Sequence, residues 1–200
     1  MARQSKKLVQ NVISLFNKAN SSERQKWQAD SQKNYEFFLG DQLTSTEKED
    51  LQSAGMPDFV INRITPVIEM MKFFATANNP KWQAVGVEGS DADVAALHAD
   101  VADYCWYNSN GNSIYSSVIQ DSLVKGIGYM QVDIDPDQDR GLGEVIFNSV
   151  NPFDVYVDPT SRDFLFRDAS YIIVKKDMPK EQLMRLFPDD KRKIKSANPS

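Results

Sequence analysis

Residues 125–176 read KGIGYMQVDIDPDQDRGLGEVIFNSVNPFDVYVDPTSRDFLFRDASYIIVKK, and the order of turns and strands in this stretch decides the fold. Gly126 stops a preceding helix, and residues 127–134 follow as a strand. The acidic, Pro- and Gly-containing run after it is a turn by composition. Residues 143–149 return as a second strand that ends at Asn151-Pro152-Phe153. A short strand over 154–157 meets Asp158-Pro159-Thr160-Ser161, and Asp168-Ala169-Ser170 opens another over 170–176. Short strands separated by turn residues predict a mostly antiparallel meander.

Upstream the pattern is helical. Leu8, Val12, Leu15 and Phe16 make one apolar stripe over residues 3–19. Ser22 with Gln25 predicts a capping box for a second helix, which carries Trp27, Tyr35, Phe38 and Leu39 and stops at Gly40. Thr46 with Glu49 predicts a third, short helix ending near Gly55. Residues 56–64 have strand-like character. Thr65-Pro66 then starts a helix with proline at its first position. The run VIEMMKFFATA is apolar nearly all round, which predicts deep burial. Asn78-Asn79-Pro80 ends it, and residues 81–87 alternate like a strand. Ser90 with Asp93 predicts the start of a long helix striped by Val94, Leu97, Val101, Tyr104 and Cys105. After the break at 108–112 a further helix buries Ile114 or Tyr115, Val118, Ile119 and Ser122. Asp177 and Pro179 begin a last helix.

Helices first and antiparallel strands later give an α+β class. The expected organisation is an N-terminal helical region over 1–80, an α+β region over 81–190, and a polar, basic linker over 191–200 leading to further protein beyond Ser200.

The composition, 41% hydrophobic and 26% charged, supports a packed core. A net charge of −5 argues against a static DNA clamp, because phosphate neutralisation supplies most non-specific affinity. Cys105 is the one cysteine, so no intramolecular disulfide forms, which fits a reducing compartment. No apolar run approaches the roughly 20 residues of a membrane-spanning helix.

Chemical motifs are weak. The glycines of KGIG and GLGEV lack the lysine of a phosphate loop and precede strands, so they serve as helix stop and strand bend. Asp133, Asp135, Asp137, Asp139 and Glu144 fall at positions 1, 3, 5, 7 and 12 of an EF-hand-like spacing. Gln138 stands where that loop needs glycine, Pro136 stiffens it, and the flanks are strands. A solvated hairpin tip is therefore favoured over a calcium site. Asp154, Asp158, Asp163 and Asp168 lie in turn contexts that favour side-chain capping of the backbone. A metal- or carboxylate-dependent hydrolase built from the acids of 133–168 is the competing reading. His98 is the one histidine and stands on a helix; with a single cysteine in the chain, a zinc site around it would lack the further His and Cys ligands it needs. No basic residues interleave with Trp82, Trp106, Tyr104 and Tyr107, so packing or subunit contact explains them better than base stacking. Lys191, Arg192, Lys193 and Lys195 are the candidates for nucleic-acid contact. No catalytic residue and no cofactor is expected.

Several of these segments together resemble one family. NYEFFLGDQL (34–43), FVINRITPVIEMMKFFATANNPKWQAVGVEG (59–89), ADVAALHADVADYCWYNSN (92–110), SIYSSVIQDSLVKGIGYMQVDID (113–135) and VNPFDVYVDPTSRDFLFRDASYIIVKK (150–176) resemble, in order and spacing, the portal proteins of tailed bacteriophages. The similarity runs from about Trp27 onward and is to the short-tailed-phage type, in its N-terminal, mainly wing part. The resemblance implies a non-enzymatic subunit of a ring, a dodecamer in that family, at one vertex of the virion capsid and assembled in the host cytoplasm. It implies major capsid protein, terminase, head-completion or tail-adaptor proteins and transient double-stranded DNA as partners, with no membrane.

Overall fold

The computed structural model describes residues 2–78, 80–86 and 92–196. Helix α1 (Ala2–Ala19) is followed by α2 (Ser22–Leu39), α3 (Ser45–Ser53) and α4 (Ile64–Thr76). The caps sit slightly upstream of the expected ones. Ser21, not Ser22, accepts the Arg24 N–H at 3.3 Å. The capping box of α3 is Thr44 with Glu47, not Thr46 with Glu49: the Thr44 N–H donates to Glu47 Oε2 at 2.8 Å, and the Glu47 N–H donates to Thr44 Oγ1 at 3.3 Å. Ser22 and Thr46 already lie inside the first helical turn, whereas a capping side chain must come from the residue before it. Gly40 ends α2 at φ 91°, a left-handed conformation that suits glycine.

Helix α4 begins before Thr65-Pro66. Asn62 Oδ1 accepts from the N–H groups of Ile64 at 2.9 Å and Thr65 at 3.2 Å. Pro66 is thus third in the helix, still among the positions whose N–H would have no intrahelical partner. Residues 56–63 form no strand, and neither do 81–86. The end of the latter expected strand, Val87, and the expected cap Ser90 lie outside the described residues.

Helices α5 (Ala92–Asn108) and α6 (Gly111–Lys125) form a tight hairpin, with Asn110 at φ 55° in its turn. Strands β1 (Tyr129–Asp135) and β2 (Glu144–Val150) pair antiparallel from Tyr129↔Val150 to Asp135↔Glu144. Strands β3 (Val155–Val157) and β4 (Ile172–Val174) pair antiparallel from Val155↔Val174 to Val157↔Ile172. The β part is therefore two separate two-stranded sheets. Helices α7 (Lys180–Leu186) and α8 (Lys191–Ser196) follow, and the class is α+β.

The core is small and aromatic. Cys105, Trp106 and Phe147 are buried, with Ile114, Tyr115 and Met130 packed around them. The Trp82 ring meets Trp106 edge-on at 5.9 Å and lies tilted against Phe147 at 5.7 Å. The indole N–H of Trp106 donates to Asn112 Oδ1 at 2.9 Å, and the Phe147 N–H donates to Ser109 Oγ at 3.0 Å.

The expected deep burial of α4 is not observed. It packs on α6 and, less extensively, on α2, and none of its residues is buried; Phe74 is 68% exposed. An all-apolar helix signals that it needs cover, but the signal does not say that this stretch of chain supplies it. The α5 stripe behaves likewise. Val94, Leu97 and Val101 are exposed, and only its C-terminal end, at Cys105, enters the core.

Candidate functional site

Two groups of polar residues hold the helical half against the segment that carries the later strands, and a third joins two of the helices. Arg24, from α2, donates through Nη2 to the carbonyls of Pro152 (3.1 Å), Phe153 (3.0 Å) and Val155 (3.2 Å). Its guanidinium lies 4.4 Å from the Trp27 ring centroid and 4.9 Å from that of Tyr156. The planar fork suits this task, since several donors leave one group in fixed directions. Partial burial lowers the Arg24 pKa from its ordinary value, and burial raises that of neighbouring Tyr129.

Lys125 closes α6 beneath the same loop. Its buried ammonium pairs with Asp121 at 2.8 Å, donates to Asn151 Oδ1 at 3.2 Å and lies 4.9 Å from the Phe153 ring centroid. Its carbonyl accepts from Trp27 Nε1 and from Ser31 Oγ, both at 3.1 Å. The third group is Asn62, which caps α4 while its Nδ2 donates to Phe38 O at 2.8 Å and Thr65 Oγ1 at 2.7 Å. The Thr65 hydroxyl in turn donates to Phe38 O. One asparagine thereby joins the end of α2 to the start of α4.

The Asp-Pro-Thr-Ser and Asp-Ala-Ser steps form a braced loop. Asp158 Oδ1 accepts from the Thr160 N–H (3.0 Å) and hydroxyl (2.8 Å), and its Oδ2 accepts from the Ser170 N–H at 3.2 Å. Asp168 accepts from Ser161 Oγ (2.6 Å) and from the N–H groups of Arg162 (2.7 Å) and Asp163 (3.3 Å). The Thr160 amide and hydroxyl hold the Asp158 carboxyl below its ordinary pKa, and the Ser161 hydroxyl and Arg162 amide do the same for Asp168. The loop carries Phe166 at φ 57° and presents Phe164 82% exposed. These carboxylates act as acceptors for their own loop, an arrangement that orders backbone rather than activates water.

The other expected site residues are spread out. Asp133 Oδ1 accepts from the next N–H, that of Ile134, at 2.8 Å. Asp135 accepts from the Asp137 N–H at 3.1 Å and from Gln138 Nε2 at 3.3 Å, bracing the hairpin tip. Glu144 turns to α5, accepting from Asn108 Nδ2 at 2.9 Å. The side chain of Asp139 lies outside the described residues. Among the described residues no three His, Cys, Asp or Glu side chains gather as a metal would require. His98 is exposed on α5. Lys191, Arg192, Lys193 and Lys195 are exposed on or beside α8, with Lys193 paired to Asp190 at 2.5 Å.

Asn62 carries a readable signal, an Asx residue just ahead of a helix. Arg24 and Lys125 carry none, because their partners lie far along the chain: 128 residues separate Arg24 from Pro152, and 94 separate Lys125 from Ser31.

The most telling property is surface. A folded monomer of 22.7 kDa exposes about 9,500 Å². This chain exposes 15542 Å². The excess, roughly 6,000 Å², is several times the area each partner contributes to a standard protein interface, about 800 Å². Much of it is apolar: Leu8, Val12 and Ile13 on α1, Met70 and Phe74 on α4, Leu97 and Val101 on α5. Isolated exposed apolar residues are ordinary, but whole helix faces mark contact surfaces. Among the described residues no helix is long and apolar enough to cross a membrane.

Sequence comparison agrees with this character. Residues 16–200 match the family described as Phage P22-like portal protein. No curated protein matches the chain.

Proposed function

The chain belongs to the Phage P22-like portal protein family, and on that premise we propose that it is a subunit of a closed ring at a unique capsid vertex. The family is structural and its members are components of the phage capsid. The ring, a dodecamer in this reading, is the conduit for DNA packaging and ejection. It docks the terminase, the major capsid protein and head-completion or tail-adaptor proteins, and it assembles in the host cytoplasm.

The family match carries the reading. Three features support it. The conspicuous carboxylates at 158 and 168 are spent on bracing a loop. Large apolar faces stand uncovered in the single chain. A net charge of −5 suits a conduit through which DNA must slide rather than stick. Within this reading, residues 1–80 and 81–190 are two parts of the wing. Lys191, Arg192, Lys193 and Lys195 touch DNA in passing. The tip at Asp133, Asp135, Asp137, Asp139 and Glu144 is a solvated turn with no resident calcium, and the protein performs no catalysis.

Electron microscopy and mass photometry of the complete protein test this. A closed ring with a central channel is the expected result. A stable monomer at micromolar concentration, or an open filament, would overturn it.

A further inference from the structure

Two helices of the chain are exposed, apolar along one face and opposite in charge. Helix α1 holds Arg3, Lys6, Lys7 and Lys18 and no acidic residue, which leaves 19 of the 23 Lys and Arg residues against all 28 Asp and Glu elsewhere. Among the described residues its aromatic and hydrogen-bond anchors lie at the C-terminal end. There Phe16 packs 4.5 Å from the Tyr156 ring, and the Tyr171 hydroxyl donates to Leu15 O at 3.1 Å. Leu8, Val9, Val12 and Ile13, earlier on the helix, all stand exposed. Helix α5 is the converse. It holds Asp93, Asp100 and Asp103, no lysine and no arginine, and an exposed stripe of Val94, Leu97 and Val101.

We propose that α1 of one subunit lies along α5 of the next, joining the apolar stripes and setting lysines against aspartates. This contact rests on the ring reading above and names the surfaces that build it. The two helices have 18 and 17 residues, so each is about 26 Å long and each can cover the other end to end. The pairing is heterologous: each subunit offers one α1 and one α5, on different parts of its surface, which is the kind of contact that generates rings. The matched apolar stripes supply the adhesion, and the opposite charges set partner and register. A second copy fits better than an unrelated acidic partner, because the complementary acidic helix is already present on every subunit.

Inter-subunit cross-linking tests it. Val12→Cys chains are mixed with Leu97→Cys chains under a mild oxidant, with the wild type, whose Cys105 is buried, as control. Covalent dimers should form in the mixture and not in either variant alone. The double variant should give a ladder of covalent multimers. In parallel, Asp93→Lys with Asp100→Lys should abolish the ring, and Lys7→Glu with Lys18→Glu should do the same. Combining the two pairs in one chain should restore it. All four are exposed, so each variant should melt with the wild-type monomer. A ring that forms without the cross-link, a dimer from Val12→Cys chains alone, or a double variant that cross-links within one chain would overturn the contact and leave the ring reading intact. A wild-type protein that never assembles would overturn both.

Discussion

Asp158 and Asp168 are the residues whose chemistry is most easily mistaken. Both carboxyls lie below their ordinary pKa because loop N–H and hydroxyl groups donate to the charged form. A carboxylate depressed by folding contributes stability that is present above its unfolded pKa, about 4, and lost as pH falls through the folded value. The melting temperature should therefore fall as pH drops from about 5 toward 3, and an Asp158→Asn/Asp168→Asn variant should show a shallower fall. Parallel melting curves across that range would remove these two groups from the account. Two glycines are equally exacting. A Cβ at Gly111 would stand 2.2 Å from Trp106 Cδ2, and one at Gly128 would stand 2.2 Å from the Val118 carbonyl oxygen. Each Gly→Ala change should cost about 1–3 kcal/mol, read from denaturant midpoints, with Gly128 the more severe because backbone must move.

At the scale of elements, α2, α6 and the 151–158 segment are tied together by buried polar groups. Lys125 is the centre of the tie. Asp121→Ala would leave its ammonium buried with one partner fewer, at a cost of about 3 kcal/mol. Replacing both, as Asp121→Ala/Lys125→Met, should recover part of that loss in thermal melts, since the uncompensated charge is then gone. Equal losses in the single and double variants would show that packing, not charge, sets the cost. Helix α4 gives the opposite expectation. Phe74 is exposed, so Phe74→Ser should change the stability of the single chain by no more than about 0.5 kcal/mol. A loss of about 3 kcal/mol or more would mean that the chain already buries this face.

For the whole molecule, the acidic balance and exposed cations of α8 fix the expected behaviour toward DNA. Binding to random duplex should be weak, indifferent to sequence and steeply reduced by salt, and Lys191→Ala/Arg192→Ala should account for most of it. Fluorescence anisotropy at two salt concentrations reads all three properties. Tight binding that persists in high salt would contradict a passive conduit.

The sequence alone determined the local vocabulary. Gly40 and Gly126 end helices, because a left-handed C-cap needs no information beyond its own residue type and place. The α+β order was legible for the same reason, since period and turn chemistry are local. The placing of acids at 158 and 168 in loop bracing was also legible, their partners being near in sequence. Caps at Ser21 and Thr44 were missed by one or two residues, because neighbouring Ser and Thr side chains offer the same chemistry and only the backbone path selects among them. The tertiary structure alone decided what depends on distant partners. It put Arg24 on carbonyls of 152–155 and buried Lys125 against α2. It also left α4 and most of the α5 stripe bare. Hydrophobic periodicity reports which face of a helix must leave water, but whether that face meets its own chain or another is settled only by what the fold brings alongside.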